Sequence, residues 1–304
     1  MKRHPMFGLF LALFGGLAIT PDTLFMRWSQ MGGLEMQAWR GLLMGAMLIG
    51  VWSVFSRRSR RADLLTLVSG DGLMVVFCQF ISASLFSLGI AQAPVAVVLF
   101  SLASVPVFSA IFAFLLLGEE THWSTWGAIV AVMIGIGLAV FGNGPGTQLD
   151  TGSPLLGAAA GLGVAMALAL NFISIRRNPR VSILLSAGSG AALAGAAGLA
   201  AVGPIAMQQG HIWAIAVTGL AVLPVSFFSL ASASRHTMTT NVSLFMLVET
   251  VLGPFWVWAG TGERPTDAMM TGGAFVVGSL VLYLWYAGRR QARAREPAAA
   301  AQPR

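Results

Sequence analysis

The chain has 304 residues, 56% of them hydrophobic and only 10% charged, with a mean hydropathy of +0.78. A soluble domain carries roughly 25% charged residues because its surface faces water. With 18 Lys and Arg and 11 Asp and Glu over this length, most of the surface must face lipid. The net charge of +7 would suit a nucleic-acid binder, but the basic residues lie in short clusters between apolar runs. Basic residues gathered on one face and interleaved with aromatics are absent, which excludes that class.

A membrane-crossing helix needs roughly 20 mostly apolar residues. Ten segments qualify: 6–28, 34–55, 70–91, 94–117, 124–142, 154–175, 181–203, 209–231, 239–260 and 268–287. The first follows Met1-Lys2-Arg3-His4 and continues through Pro21 and Asp22 to Trp28, too long for a signal core, so it reads as a retained membrane helix. Pro21 should kink it, leaving the carbonyl four residues back without its helical partner. Most joints are short and marked by Gly, Pro or charge. The longer linker, from Gly142 through Pro145 to Gly152, divides the chain into halves of five helices, 6–142 and 154–287. The tail 288–304 reads as disordered.

Orientation follows from the basic residues. With the N-terminus in the cytoplasm, fifteen of the eighteen Lys and Arg fall inside: Lys2, Arg3, Arg57, Arg58, Arg60, Arg61, Arg176, Arg177, Arg180, Arg235, Arg289, Arg290, Arg293, Arg295 and Arg304. Arg27 and Arg264 fall outside, and Arg40 lies within a helix. Both termini are then cytoplasmic, and the pattern suits a multi-pass protein of a bacterial inner membrane.

The two halves end alike. Helix 4 runs from Ser104 and Pro106 to Gly118-Glu119, followed by a helix rich in glycine at Gly127, Gly135 and Gly137. Helix 9 runs from Glu249 through Pro254 to Gly262-Glu263, followed by Gly272, Gly273 and Gly278. Five helices per half is odd, so the second half enters the membrane from the opposite side, as in the inverted repeats of secondary transporters.

The Gly-Glu dipeptides, Pro106 and the glycine-rich helix after each turn resemble the drug/metabolite transporter superfamily, EamA type, over about residues 8–286. Thr250 departs from that pattern, standing where many members place a proline. The resemblance implies an all-α integral membrane protein with ten transmembrane helices in two inverted five-helix repeats. It also implies a carrier, often an exporter of amino acids or related metabolites. The partners are a small-molecule substrate and the lipid bilayer, with a homodimer left open and no nucleic acid.

Ionisable groups inside membrane helices are costly and therefore informative. Asp22 and Arg40 each lie about six residues from the outer end of their helix, roughly 9 Å deep at 1.5 Å per residue. They are either a structural ion pair or a carrier site, with Arg40 gripping a carboxylate or phosphate and Asp22 an ammonium or a proton. Glu249, near the middle of helix 9, is either a neutral acid bonding between helices or a proton-coupling group. Gln79, Asn171 and Thr250 could supply hydrogen bonds to a cavity or simply join helices, and Trp39 could stack on a substrate or pack. Trp28, Trp256 and Trp258 fit an external aromatic belt. Gly127, Gly135, Gly137 and the run Gly157 to Gly161 suit close helix approach.

Cys78 is the one cysteine, and the four histidines show no metal-ligand spacing, so no disulfide, metal or cofactor is expected. No catalytic or nucleotide-binding motif is present, which leaves a gradient as the energy source for any transport. The competing classes are a membrane enzyme acting on lipid-linked substrates, for which Glu119, Glu120 and His122 are the single polar cluster, and a scaffold subunit.

Overall fold

The computed structural model describes residues 5–56, 60–118, 123–142, 152–236 and 239–300. Among these the regular elements are all helical: α1 (Pro5–Ile19), α2 (Asp22–Ser29), α3 (Gly33–Phe55), α4 (Arg60–Leu67), α5 (Gly70–Gln92), α6 (Val95–Leu102), α7 (Val105–Leu117), α8 (Trp123–Phe141), α9 (Pro154–Arg177), α10 (Ile183–Ala206), α11 (Ile212–Val217), α12 (Leu223–Ala233), α13 (Thr239–Thr261) and α14 (Asp267–Ala300). The chemistry of the linker 143–151, and of Glu119, Glu120 and His122, lies outside the described residues.

Among the described residues, seven stretches are long and apolar enough to cross a membrane: Phe7–Ser29, Gly33–Phe55, Gly70–Gln92, Val95–Leu116, Pro154–Arg177, Ile183–Ala206 and Ile212–Ala233. Their bounds follow the apolar segments read from the sequence. Trp126–Phe141 and Asp267–Tyr283 are shorter apolar helices. Large apolar side chains such as Phe10, Trp126, Phe141 and Phe255 point outward, as a lipid-facing surface requires.

Among the described residues, three spans divide into separate helical elements, each next to proline. Pro21 breaks the first into α1 and α2, as its missing N–H requires. The carbonyl four residues back, that of Leu17, is not left bare. Thr20 takes it with its backbone N–H at 3.3 Å and with Oγ1 at 3.0 Å. The fourth span breaks between α6 and α7 just before Pro106, where Ser104 Oγ donates to the Ser101 carbonyl at 2.6 Å. A π-helical turn, Thr218–Val222, joins α11 to α12 immediately before Pro224.

Start and stop signals are local. Ser69, Ser153 and Ser182 cap α5, α9 and α10 by accepting from the backbone N–H three residues on. Gln30, at φ 53°, closes α2, and Gly203, at φ 77°, ends the regular part of α10 ahead of Pro204. Two features depart from the sequence reading. The short helix α4 occupies the loop after α3. And α14 is helical through Ala300, beyond the apolar segment read from the sequence.

Packing pairs α3 with α10, α8 with α14, α5 with α9, and α1 with α12, while α13 lies along α1, α2 and α6. Small residues set the closest approaches. A Cβ on Gly41 would lie 2.4 Å from the Gly195 nitrogen, and one on Gly135 would lie 2.9 Å from the Gly272 carbonyl oxygen. Gly161 likewise abuts the Val98 carbonyl. Gly127 and Gly137, read as packing residues, meet nothing within 4 Å, and neither does Gly278. They lie on parts of α8 and α14 that face away from the seam.

Candidate functional site

The helix breaks and the small-residue seams together leave a buried cavity of about 50 Å³, room for a few water molecules. It is lined by Asp22 of α2, Gln37 and Arg40 of α3, Gln79, Ser82 and Ser87 of α5, and Glu249 of α13. Phe86, Phe227, Met44 and Met246 supply much of the apolar wall.

Asp22 is the first residue of α2, so the Pro21 break turns its side chain inward, and it is 0% exposed. Its Oδ2 accepts from Arg40 Nη2 at 2.5 Å. Arg40 is also donating Nη1 to Met26 Sδ at 2.6 Å and stands 5.3 Å from the Phe86 ring centre. Among the described residues, Asp22 Oδ1, Arg40 Nε and Gln79 Oε1 are buried without hydrogen-bond partners. A buried polar atom left unpaired is expensive, so three at one cavity call for water or a ligand. Gln79 Nε2 reaches only Met44 Sδ, at 4.0 Å.

Of the residues singled out from sequence, the structure brings Asp22, Arg40, Gln79 and Glu249 to one cavity. Trp39 and Asn171 do not line it. Trp39 donates Nε1 to the Met207 carbonyl at 2.8 Å and packs against the main apolar core, because consecutive helix residues point about 100° apart and of the two only Arg40 turns to the cavity. Asn171 is buried on α9, with Oδ1 unpartnered, away from the lining. Sequence reading missed Gln37, Ser82 and Ser87. The spacing of Gln79, Ser82 and Phe86 at intervals of three and four on α5 marks one helix face.

A second polar cluster closes one end of the bundle. Arg27 Nε lies 2.9 Å from Glu263 Oε2, and its Nη2 donates to Glu263 Oε1 at 3.1 Å and to the Ala93 carbonyl at 2.9 Å. The Val95 N–H at the start of α6 donates to the same Oε1 at 3.4 Å. His211 N–H donates to the Ser29 carbonyl at 2.7 Å, and Trp28 Nε1 to the Gly260 carbonyl at 3.2 Å. Trp28, read as part of an aromatic belt, thus also ties α2 to the end of α13, beside Trp213 and Phe25. At other positions Arg177 pairs with Asp71 at 2.7 Å and Arg235 donates to the Val181 carbonyl.

Apolar helices folded round a buried ionic cavity define a multi-pass membrane protein. Residues 6–141 match the EamA-like transporter family, which belongs to the drug/metabolite transporter superfamily. That family consists of membrane transporters rather than enzymes, in line with the resemblance read from the sequence. No curated protein matches the chain. Among solved structures, one titled only "Crystal structure of protein" is similar, at 16% identity and a TM-score of 0.64. The match covers 93% of this chain and 98% of that one, which shows a shared fold over nearly the whole length.

Proposed function

We propose that the protein is a secondary transporter that moves a small polar metabolite, such as an amino acid, outward by alternating access. The observation that carries this reading is the cavity holding Asp22, Arg40, Gln79 and Glu249, with side chains from both halves of the chain. Charged groups at this depth are retained at a cost, and in membrane proteins they mark substrate and ion pathways. Substrate binds at Asp22, Arg40 and Gln79, and Glu249 or Asp22 carries a coupling proton.

The transmembrane architecture in this reading is ten helices in two inverted repeats, with α8, α13 and α14 crossing alongside the seven apolar spans. Helix pairing supports it. Numbered as spans, the partners α3 and α10, α8 and α14, and α6 and α13 are second with seventh, fifth with tenth, and fourth with ninth. The remaining pairs, first with eighth and third with sixth, exchange when the halves are swapped. A pseudo-two-fold arrangement gives that pattern, and rocking one repeat against the other would open the cavity alternately to each side. The membrane is a bacterial inner membrane, with both termini in the cytoplasm.

The test is a ligand screen on purified protein by thermal unfolding against amino acids, purines, sugars and organic cations, followed by transport into proteoliposomes. A ligand that binds the native state raises the unfolding midpoint by mass action. Transport of the hit by the wild type and its loss in Arg40→Ala, with the variant still folded, is the expected result. Normal transport by Arg40→Ala would remove the site assignment.

A further inference from the structure

We infer that the central cavity selects small organic monocations, gripping an ammonium with its carboxylates and an apolar body with its walls. This narrows the substrate of the proposed transporter from a zwitterionic amino acid to a monocation, and rests on the transporter reading.

The inference comes from counting charge and hydrogen-bonding capacity at the cavity wall. Among the described residues, Arg40 is the one cationic side chain in the lining, and it faces two carboxylates, Asp22 and Glu249. Its guanidinium is already engaged with Asp22, Met26 and the Phe86 ring. A substrate carboxylate would have to displace Asp22 or make do with the single free Nε. Acceptors are in better supply: Asp22 Oδ1 and Gln79 Oε1 are buried and unpartnered, and the Glu249 carboxylate faces the same space. An ammonium is a compact donor of three hydrogen bonds with no acceptor, which matches that surplus. Phe86, Phe227, Met44 and Met246 offer aromatic faces and polarizable thioethers to the rest of the molecule.

A matched set of ligands tests this. Phenethylammonium, 3-phenylpropanoate and phenylalanine share one apolar body and differ only in carrying an ammonium, a carboxylate or both. Binding to the full-length protein in detergent is measured by calorimetry, for the wild type and for Glu249→Gln. Glu249→Gln carries the test because it leaves the Asp22–Arg40 pair in place; Asp22→Asn is the second variant. The expected result is that phenethylammonium binds about tenfold or more tighter than phenylalanine, with no binding of 3-phenylpropanoate. Each variant should lose about tenfold or more in affinity for the amine. Tighter binding of phenylalanine or the acid, no binding of any of the three, or amine binding unchanged in Glu249→Gln would overturn the inference. Transport separates the two readings. Phenylalanine carried across proteoliposomes in an Arg40-dependent manner overturns the cation class and leaves the transporter reading standing. An amine that binds as expected yet is never moved overturns the transporter and leaves the cation site.

Discussion

Arg27 and Glu263, separated by 236 positions, form an ion pair at 2.9 Å that joins α2 in the first half to the turn before α14 in the second. The same guanidinium holds the Ala93 carbonyl, and the same carboxylate reaches the N–H of Val95, so three chain segments meet at one point. At 19% exposure each, the two side chains are partly shielded from water, and the contact counts for more than a surface pair.

Glu263→Gln should therefore destabilise the protein by roughly 1–3 kcal/mol, the range for hydrogen bonds to charged groups. Lower thermal midpoints for Glu263→Gln and for Arg27→Gln, with a double variant that loses less than the sum, would establish the coupling. Additive losses would mean that the two side chains act separately.

The Asp22–Arg40 pair is deeper, and removal of one partner leaves a bare charge. Asp22→Asn or Arg40→Met alone should cost about 3–5 kcal/mol, whereas replacing both should cost less than either. Unfolding in a graded denaturant series would show it. The double variant should be folded and inactive in transport, which separates the pair's structural part from its proposed functional one.

Glu249 bears on coupling. If it carries the proton, Glu249→Gln should abolish uptake driven by a pH gradient, while exchange between two faces loaded with saturating substrate persists despite the weaker binding. Gradient-driven uptake that survives the substitution would transfer the role to Asp22 or to another ion.

Glycines on α3 and α8 should respond in opposite ways. Gly41→Val places new carbon where the Gly195 backbone already stands, and overpacking of this kind costs about 1–3 kcal/mol or more. Gly137→Ala meets open space within a helix and should be neutral or stabilising by up to about 1 kcal/mol. Thermal midpoints of the two variants in the same detergent would check the contrast.

Orientation is open to direct measurement as well. A fluorescent protein that folds only in the cytoplasm, fused after Arg304, should be bright, and one fused after Glu263 should be dark.

Much of the fold was legible in the chain because the membrane imposes a length and a polarity on every crossing segment. Apolar runs of about 20 residues, with Gly and Pro at their joints, placed helix ends to within a few residues. Asp22, Arg40, Gln79 and Glu249 could be singled out for a similar reason: polar groups at membrane depth stand out against an apolar background. Depth put Asp22 level with Arg40, but sequence could not tell which other groups join them. Helix rotation depends on packing between segments far apart in the chain, and hydropathy that is apolar all round carries no facing signal. The seam of Gly41 against Gly195 and the break at Pro21 decide which faces turn inward. They bring Asp22 and Arg40 to the cavity with Glu249 and leave Trp39 and Asn171 elsewhere. The clamp between Arg27 and Glu263 was invisible for the same reason. Composition fixes how many polar groups a membrane chain can hold, but only the close approach of distant backbones decides which of them share a site.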